Sequence, residues 1–308
     1  MKMLQFFAAA FFVTFVLTPI LKNKLAEKGI TGIDLHKAEK VEIPEMGGIA
    51  VLLGFSISII AAYFFNPDSR LLLGLVVVML IGLVGIVDGK RRLSAKQKVL
   101  ALSAVGLLLI PFAKPTLSGQ DLGILYLIFV PIFFMFACNF TNMLAGFNGL
   151  EIGTGAIASL GMAVVAYLNG STEGAIISGA MFFALLAFLY YNRYPASVFP
   201  GDVGTLIIGA ALFTTMIISK IELFGAIILA PYIADAALKY LSVGVMTRES
   251  QTPTELRDGQ LFVPAGSNMS LARFFIRRKP LREPEAVLRV WAVEAVCCVA
   301  AVGLAMWV

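Results

Sequence analysis

Four stretches of this chain combine acids, amides, cations and glycines in patterns suited to holding phosphate. Asp88 is followed within ten residues by Lys90, Arg91, Arg92, Lys96 and Lys98. Such cations neutralise phosphate oxygens during transfer, although the same run also reads as a topological stop with headgroup contacts. Asn139, Asn142, Gly146, Asn148, Gly149 and Glu151 interrupt an otherwise apolar stretch. Unpaired amides are costly to bury there, so they are expected to line a wet, ligand-filled cavity or to form a polar network between helices. Phe199-Pro-Gly201-Asp202-Val-Gly204-Thr205 opens an apolar segment. Asp202 there is either an N-cap or a carboxylate for Mg2+, an ion that binds few protein oxygens and leaves room for phosphates. Finally, Asp34-Leu35-His36-Lys37 precedes Pro44-Glu45-Met46-Gly-Gly48. The glycines allow close backbone approach, and Glu45 can accept hydrogen bonds from sugar or ribose hydroxyls.

The elements that must position these residues are membrane helices. The chain of 308 residues is 59% apolar and 14% charged, against about 25% charged in soluble domains. Ten apolar runs approach the roughly 20 residues needed to cross a bilayer: 4–21, 46–65, 71–87, 99–113, 122–137, 152–168, 175–191, 204–218, 223–245 and 287–308. Continuous runs favour helices over the alternating strands of a barrel. The expected fold is therefore all-α, a single-domain polytopic bundle of about ten transmembrane helices with a long loop, 246–286, before the last. The first run lacks a small-residue cleavage site and reads as a retained helix. Asp235 and Lys239 are spaced as an intrahelical pair, and 271–276 suits a short interfacial helix. Cys138, Cys297 and Cys298 form no CxxC or Cys/His cluster, and His36 is the only histidine. Neither a disulfide framework nor a zinc site is supported.

If the segments alternate, loops 22–45, 88–98, 138–151, 192–203 and 246–286 share one side. That side holds 18 of the 24 lysines and arginines, the other side only four, Lys2, Arg70, Lys114 and Lys220. Positive residues collect in the cytoplasm, which would put both termini outside. The net charge of +5 then reflects topology, and no nucleic-acid partner is implied. The second face has only short connections, such as 66–70, 169–174 and 219–222, too small for a site.

Taken in order, these motifs resemble the polyprenyl-phosphate N-acetylhexosamine-1-phosphate transferases, most of all the archaeal and eukaryotic branch that uses dolichyl phosphate and UDP-GlcNAc in N-glycosylation. The resemblance spans residues 33–280 and rests mainly on Asn142-x-x-x-Gly146-x-Asn148-Gly-Leu-Glu and Phe199-x-Gly-Asp202. It implies that Asn142 and Asp202 hold Mg2+, or Mn2+ in its place. It further implies that Gly146 and Phe199 sandwich uracil, that Asn148 hydrogen-bonds it, and that Leu35 and Glu45 contact the nucleoside. Asp88 and Lys98 match a catalytic aspartate and a lysine at the phosphates. Gly89 stands where the family has a second aspartate. No histidine matches the family's basic motif, for which Arg248 is the nearest counterpart.

The resemblance implies direct in-line transfer between a UDP-sugar and a polyprenyl phosphate at the plasma membrane, with UMP leaving, Asp88 orienting or deprotonating the acceptor, and possible assembly as a homodimer. Two rival classes fit less well. A CDP-alcohol phosphatidyltransferase needs further aspartates along the next helix, and 96–110 contains none. A transporter or scaffold predicts ionisable residues at mid-bilayer, whereas apart from residues such as Asp235 and Lys239 the polar groups cluster at one face. The orientation has a direct check. In a chain stripped of its three native cysteines, a cysteine at Lys24 or Arg92 is expected to resist a membrane-impermeant maleimide in intact cells, and one at Asn66 or Asn169 to react; the reverse pattern would invert the topology.

Overall fold

A computed structural model describes residues 2–35, 37, 41–114, 116, 117, 120, 121, 123–244 and 252–307. The helices are α1 (Lys2–Glu27), α2 (Gly48–Phe65), α3 (Ser69–Arg91), α4 (Ala95–Gly106), α5 (Gly123–Met143), α6 (Leu150–Leu168), α7 (Thr172–Asn192), α8 (Gly201–Ser219), α9 (Glu222–Ile228), α10 (Ala230–Val243), α11 (Leu271–Arg278) and α12 (Glu283–Ala305). Short antiparallel hairpins pair β1 (Thr31–Ile33) with β2 (Glu42–Pro44), β3 (Thr116–Leu117) with β4 (Gln120–Asp121), and β5 (Glu255–Arg257) with β6 (Gln260–Phe262). Among the described residues nine helices are long and apolar enough to cross a bilayer, α4 together with its 3-10 continuation Leu107–Phe112 counting as one; α9 and α10, bent by 56° at their junction, pass the same test as a pair, as a broken span or a re-entrant loop. The protein is an all-α, multi-pass membrane bundle, as the hydropathy implies. The bend falls at Leu229, just before Pro231 at the start of α10, where a proline is tolerated but cannot continue a preceding helix.

The architecture is organised around α8. Every residue from Val203 to Ser219 is buried, so this helix is apolar all round and touches no lipid. It packs against α2, α3, α5, α6 and α7. Lipid tails are as apolar as leucine, so helix association here depends on close packing of small residues. A Cβ built on Gly85 of α3 would lie 2.5 Å from Val203 Cα, and one on Gly209 of α8 only 2.4 Å from the Ala137 carbonyl of α5. In the outer helices, Ser58 donates to the Phe6 carbonyl at 2.7 Å.

Several expected loops prove to be helical. Asp88 lies inside α3, Lys98 inside α4, and Asn139 to Met143 form the last turns of α5. Hydropathy stopped these segments at the apolar boundary, but their backbones continue hydrogen-bonding past it. The connection between α3 and α4 is only three residues long: Arg92 terminates α3 in a left-handed conformation and Ser94 starts α4 with a capping box.

Asp235 and Lys239 pair at 2.8 Å as their spacing predicts. Each also reaches beyond its helix, since Asp235 accepts from Leu271 N at 2.7 Å and Lys239 Nζ donates to the Met143 carbonyl. Residues 271–276 are helical within α11. Its Arg273 is buried and donates to Asn268 O at 2.8 Å, to Asn268 Oδ1 at 2.5 Å and to the Thr252 carbonyl, which ties the long loop together. On the opposite face, Asp68, Arg70, Lys114 and Lys220 line an open depression of about 410 Å3, so that face is less bare than its short connections suggested.

The α8 packing yields a sharp expectation. Gly209→Ala should destabilise the purified protein by about 1–3 kcal/mol, the usual penalty for overpacking, read as a lower Tm in detergent. An unchanged Tm would show that α5 and α8 can separate freely.

Candidate functional site

The start of α8 is zipped to the start of α2. Phe199 N donates to the Pro44 carbonyl at 2.8 Å, Gly47 N to the Phe199 carbonyl at 2.9 Å, and Gly48 N to the Pro200 carbonyl at 3.0 Å. Two backbones can approach this closely because glycines lie at the crossing. Gly201 has φ +62°, and a Cβ there would lie 3.0 Å from Met46 N and Cα, with Met46 itself left-handed at φ 72°. The result places Glu45 and Phe199 side by side under Gly32: a Cβ on Gly32 would meet Glu45 Oε2 at 3.3 Å and Phe199 Cδ2 at 3.4 Å.

Immediately beyond, four helices contribute to one polar cluster. Lys98 Nζ of α4 lies 2.8 Å from Asp88 Oδ2 of α3 and 3.8 Å from Asp202 Oδ1 of α8. It also donates to Asn142 Oδ1 of α5 at 3.4 Å. Asn142 Nδ2 in turn donates to Asp202 Oδ1 at 2.6 Å and to Thr205 Oγ1 at 2.7 Å. Asp88 is 2% exposed, and its other oxygen accepts from Leu93 N at 2.9 Å, closing the turn into α4. One ammonium thus compensates two carboxylates at the end of the bundle, next to the positive N-terminal end of α8. The helix starts at Gly201 with Pro200 at the cap position, so Asp202 lies inside the first turn and the N-cap reading is corrected. Thr205 closes the same motif without standing out in it; its position three residues after Asp202, on the same helix face, is the signal that could have identified it.

The donor set of this cluster is entirely hard oxygen: two carboxylates, the Asn142 amide and the Thr205 hydroxyl. Among the described residues, no three acidic, histidine or cysteine side chains gather as metal ligands. Two carboxylates and an amide still suit Mg2+, which keeps several shell positions for water and phosphate. Because Nδ2 rather than Oδ1 faces Asp202, an ion shared by these two residues requires the Asn142 amide to turn over.

A second cluster gathers around Asn148. Its Nδ2 donates to Asp34 Oδ2 at 3.0 Å and to Glu283 Oε1 at 2.5 Å, its backbone N to the same Glu283 oxygen at 2.6 Å, and its Oδ1 accepts from Ala196 N at 2.8 Å. Lys37 Nζ lies 3.3 Å from Glu283 Oε2 and 3.6 Å from Asp34 Oδ2, over the Tyr194 ring. Asn148 and Glu283 are each 4% exposed. The amides of 139–151 are therefore largely paired with protein groups, Asn139 included, which donates to Met135 O at 3.0 Å. Gly146, at φ +155°, has open space where a side chain would project, and Leu35 is exposed nearby in sequence to Asp34. Glu283 escaped sequence reading because it is 135 residues from Asn148 and looks like an ordinary acidic helix start.

The sequence-derived residues thus divide in three: Asp88, Lys98, Asn142 and Asp202 converge, Glu45 and Phe199 adjoin, and Asn148 anchors a separate network with Asp34. Met46 links the first two groups, touching Gly201 and lying 3.4 Å, at Sδ, from a Cβ built on Gly89. Arg248 and His36 lie outside the described residues.

A family model described as glycosyl transferase family 4 matches residues 71–220. The chain is 41% identical over 287 residues to a Methanocaldococcus jannaschii protein provisionally named a glycosyltransferase, covering 91% of each chain. It is 36% identical over 242 residues to the phospho-N-acetylmuramoyl-pentapeptide-transferase of Shouchella clausii, covering 70% of this chain and 74% of that one. It is 28% identical over 309 residues to a Saccharolobus solfataricus protein provisionally named a UDP-N-acetylglucosamine–dolichyl-phosphate N-acetylglucosaminephosphotransferase, covering 96% and 94%. With such similarity running through the helices that carry the polar cluster, the chain belongs to glycosyl transferase family 4, as a polyprenyl-phosphate hexosamine-1-phosphate transferase.

Proposed function

We propose that this protein transfers N-acetylglucosamine-1-phosphate from UDP-GlcNAc to a polyprenyl phosphate of the dolichyl type, releasing UMP, as the first membrane step of lipid-linked glycan assembly for N-glycosylation. The observation that carries the reading is the meeting of Asp88, Lys98, Asn142 and Asp202 at one end of the bundle. The choice of sugar and lipid is supported by the names of two archaeal relatives that match nearly the whole chain, from Saccharolobus solfataricus and Sulfolobus acidocaldarius. The bacterial name borne by the Shouchella clausii relative supports a rival donor, a UDP-linked muramoyl pentapeptide. In both cases the site would face the cytoplasm at the plasma membrane.

The chemical difficulty is repulsion between an anionic lipid phosphate and an anionic nucleotide diphosphate. An acceptor oxygen forms a bond to the β-phosphorus of the UDP-sugar while the bond from that phosphorus to the bridging oxygen breaks, so UMP departs with the bonding pair. Asn142 and Asp202 would hold Mg2+ or Mn2+, which supplies neutralisation of diphosphate charge. Lys98, already between two carboxylates, would carry positive charge to the phosphate oxygens, where a fixed cation stabilises the developing charge. Asp88 would orient the acceptor phosphate, or take its proton when it arrives as the monoanion. Glu45, Leu35, Gly146, Asn148 and Phe199 would receive the nucleoside, and Arg248 would contact the diphosphate.

Incubation of purified protein with labelled UDP-GlcNAc, dolichyl phosphate and Mg2+ should give labelled lipid and UMP, and substitution of the muramoyl pentapeptide donor should give neither. The opposite selectivity would transfer the assignment to the bacterial reaction. Asp202→Asn and Lys98→Ala should each reduce kcat by about 10²–10³, the loss typical of one electrostatic contact to a transition state. Asp88→Asn with unaltered turnover would remove that residue from the chemistry.

A further inference from the structure

We propose that Glu283 is a positioning residue for the nucleotide donor, acting through Asn148; the inference rests on the UDP-sugar reading. Glu283 lies beyond residues 33–280, the span of the motifs that carry the resemblance. Its buried carboxylate is shared between two partners: Oε1 receives both the backbone N and the side-chain Nδ2 of Asn148, at 2.6 and 2.5 Å, and Oε2 receives Lys37 Nζ at 3.3 Å. Asn148 Oδ1 then accepts from Ala196 N at 2.8 Å.

Three connections are drawn together by these contacts, and each leads to a residue placed at the donor. The segment after α5 carries Gly146, the hairpin β1–β2 runs from Asp34 and Lys37 towards Glu45, and the 194–198 segment runs into Phe199. Asn148 bonds directly to Asp34 and Ala196. Glu283 holds Asn148 at two points and Lys37 at a third, so the N-terminal end of α12 fixes the junction in place.

The network also decides which way the Asn148 amide points. Two carboxylate oxygens, from Asp34 and Glu283, demand its NH2 group, and a backbone N–H demands its oxygen. Turning the amide over would set oxygen against carboxylate and NH2 against N–H. Both amide hydrogens are consumed, and the capacity left to Asn148 is one lone pair on Oδ1. A pure acceptor complements the N3–H of uracil and opposes the N3 lone pair of cytosine. Glu283 thereby helps to fix a preference for uridine nucleotides without touching them.

Steady-state kinetics and UMP and CMP binding, measured on the full-length protein in detergent, test this. Glu283→Ala should raise KM for the UDP-sugar about tenfold or more, as expected for losing hydrogen bonds to a buried charge. It should change kcat at saturating donor, and KM for the lipid phosphate, by less than about threefold. Its preference for UMP over CMP should shrink by a similar factor of about ten. Glu283→Gln, which keeps an oxygen for Asn148, should recover most of the UMP preference. An unchanged donor KM, a parallel rise in both substrates' KM values, or an intact UMP-to-CMP ratio would each overturn the inference. Should the alanine variant fail to fold, Lys37→Met, which removes the cation held by Glu283 Oε2, carries the same comparison: a donor KM raised by at least about threefold supports it, and a wild-type value refutes it. A wild-type protein that releases no UMP from any UDP-sugar defeats the transferase reading instead, and the nucleotide-binding ratio still judges Glu283.

Discussion

The structure depends on how charge is kept at the edge of a bundle made to lie in lipid. Asp88 and Asp202 come from different helices and would repel one another if both were ionised with nothing between them. Lys98 stands 2.8 Å from the first and 3.8 Å from the second, and the Asn142 amide adds a hydrogen bond to Asp202. The cluster holds α3, α4, α5 and α8 at one end of the molecule. It is also the part of the protein best adapted to exchange one positive charge for another when anionic substrates arrive. The same groups therefore brace the resting fold and form the candidate reaction centre.

The position of that cluster follows from α8. Because the helix is buried from Val203 to Ser219 and its neighbours approach over glycines, its N-terminus has little freedom to shift. The backbone bonds linking Phe199 and Pro200 to the start of α2 extend this rigidity to Glu45. Rigid elements hold reacting groups to tighter tolerances than loops do. In this protein the residues of the candidate reaction centre lie on helices, and those proposed to receive the nucleoside lie on connections between them.

How much of this was legible in the sequence varies with the physical signal. Membrane spans were legible because about twenty apolar residues in a row match the thickness of a bilayer and little else. Asn142 and Asp202 stood out because polar groups in apolar surroundings need a reason. The helical placement of Asp88 and Asn142 was not legible, since hydropathy reports immersion in lipid and is silent on where hydrogen bonding stops. The choice between cap and carboxylate ligand at Asp202 stayed open for a related reason: a small difference in where α8 begins moves it from the cap into the first turn. Glu283 carried no local signal at all. Its partners come from the segment before α2 and from the connection after α5, and only the folded bundle brings them within reach.

That last contact has a consequence for biosynthesis. A chain inserted segment by segment from its N-terminus can assemble α3, α4, α5 and α8, and with them the Asp88–Lys98–Asp202 cluster, before its final span leaves the ribosome. The Asn148 network cannot close until α12 has entered the bilayer and delivered Glu283. The Asn148 junction is then completed last, so that a nascent protein has its charged centre in place before the connections proposed to receive the donor are tied together.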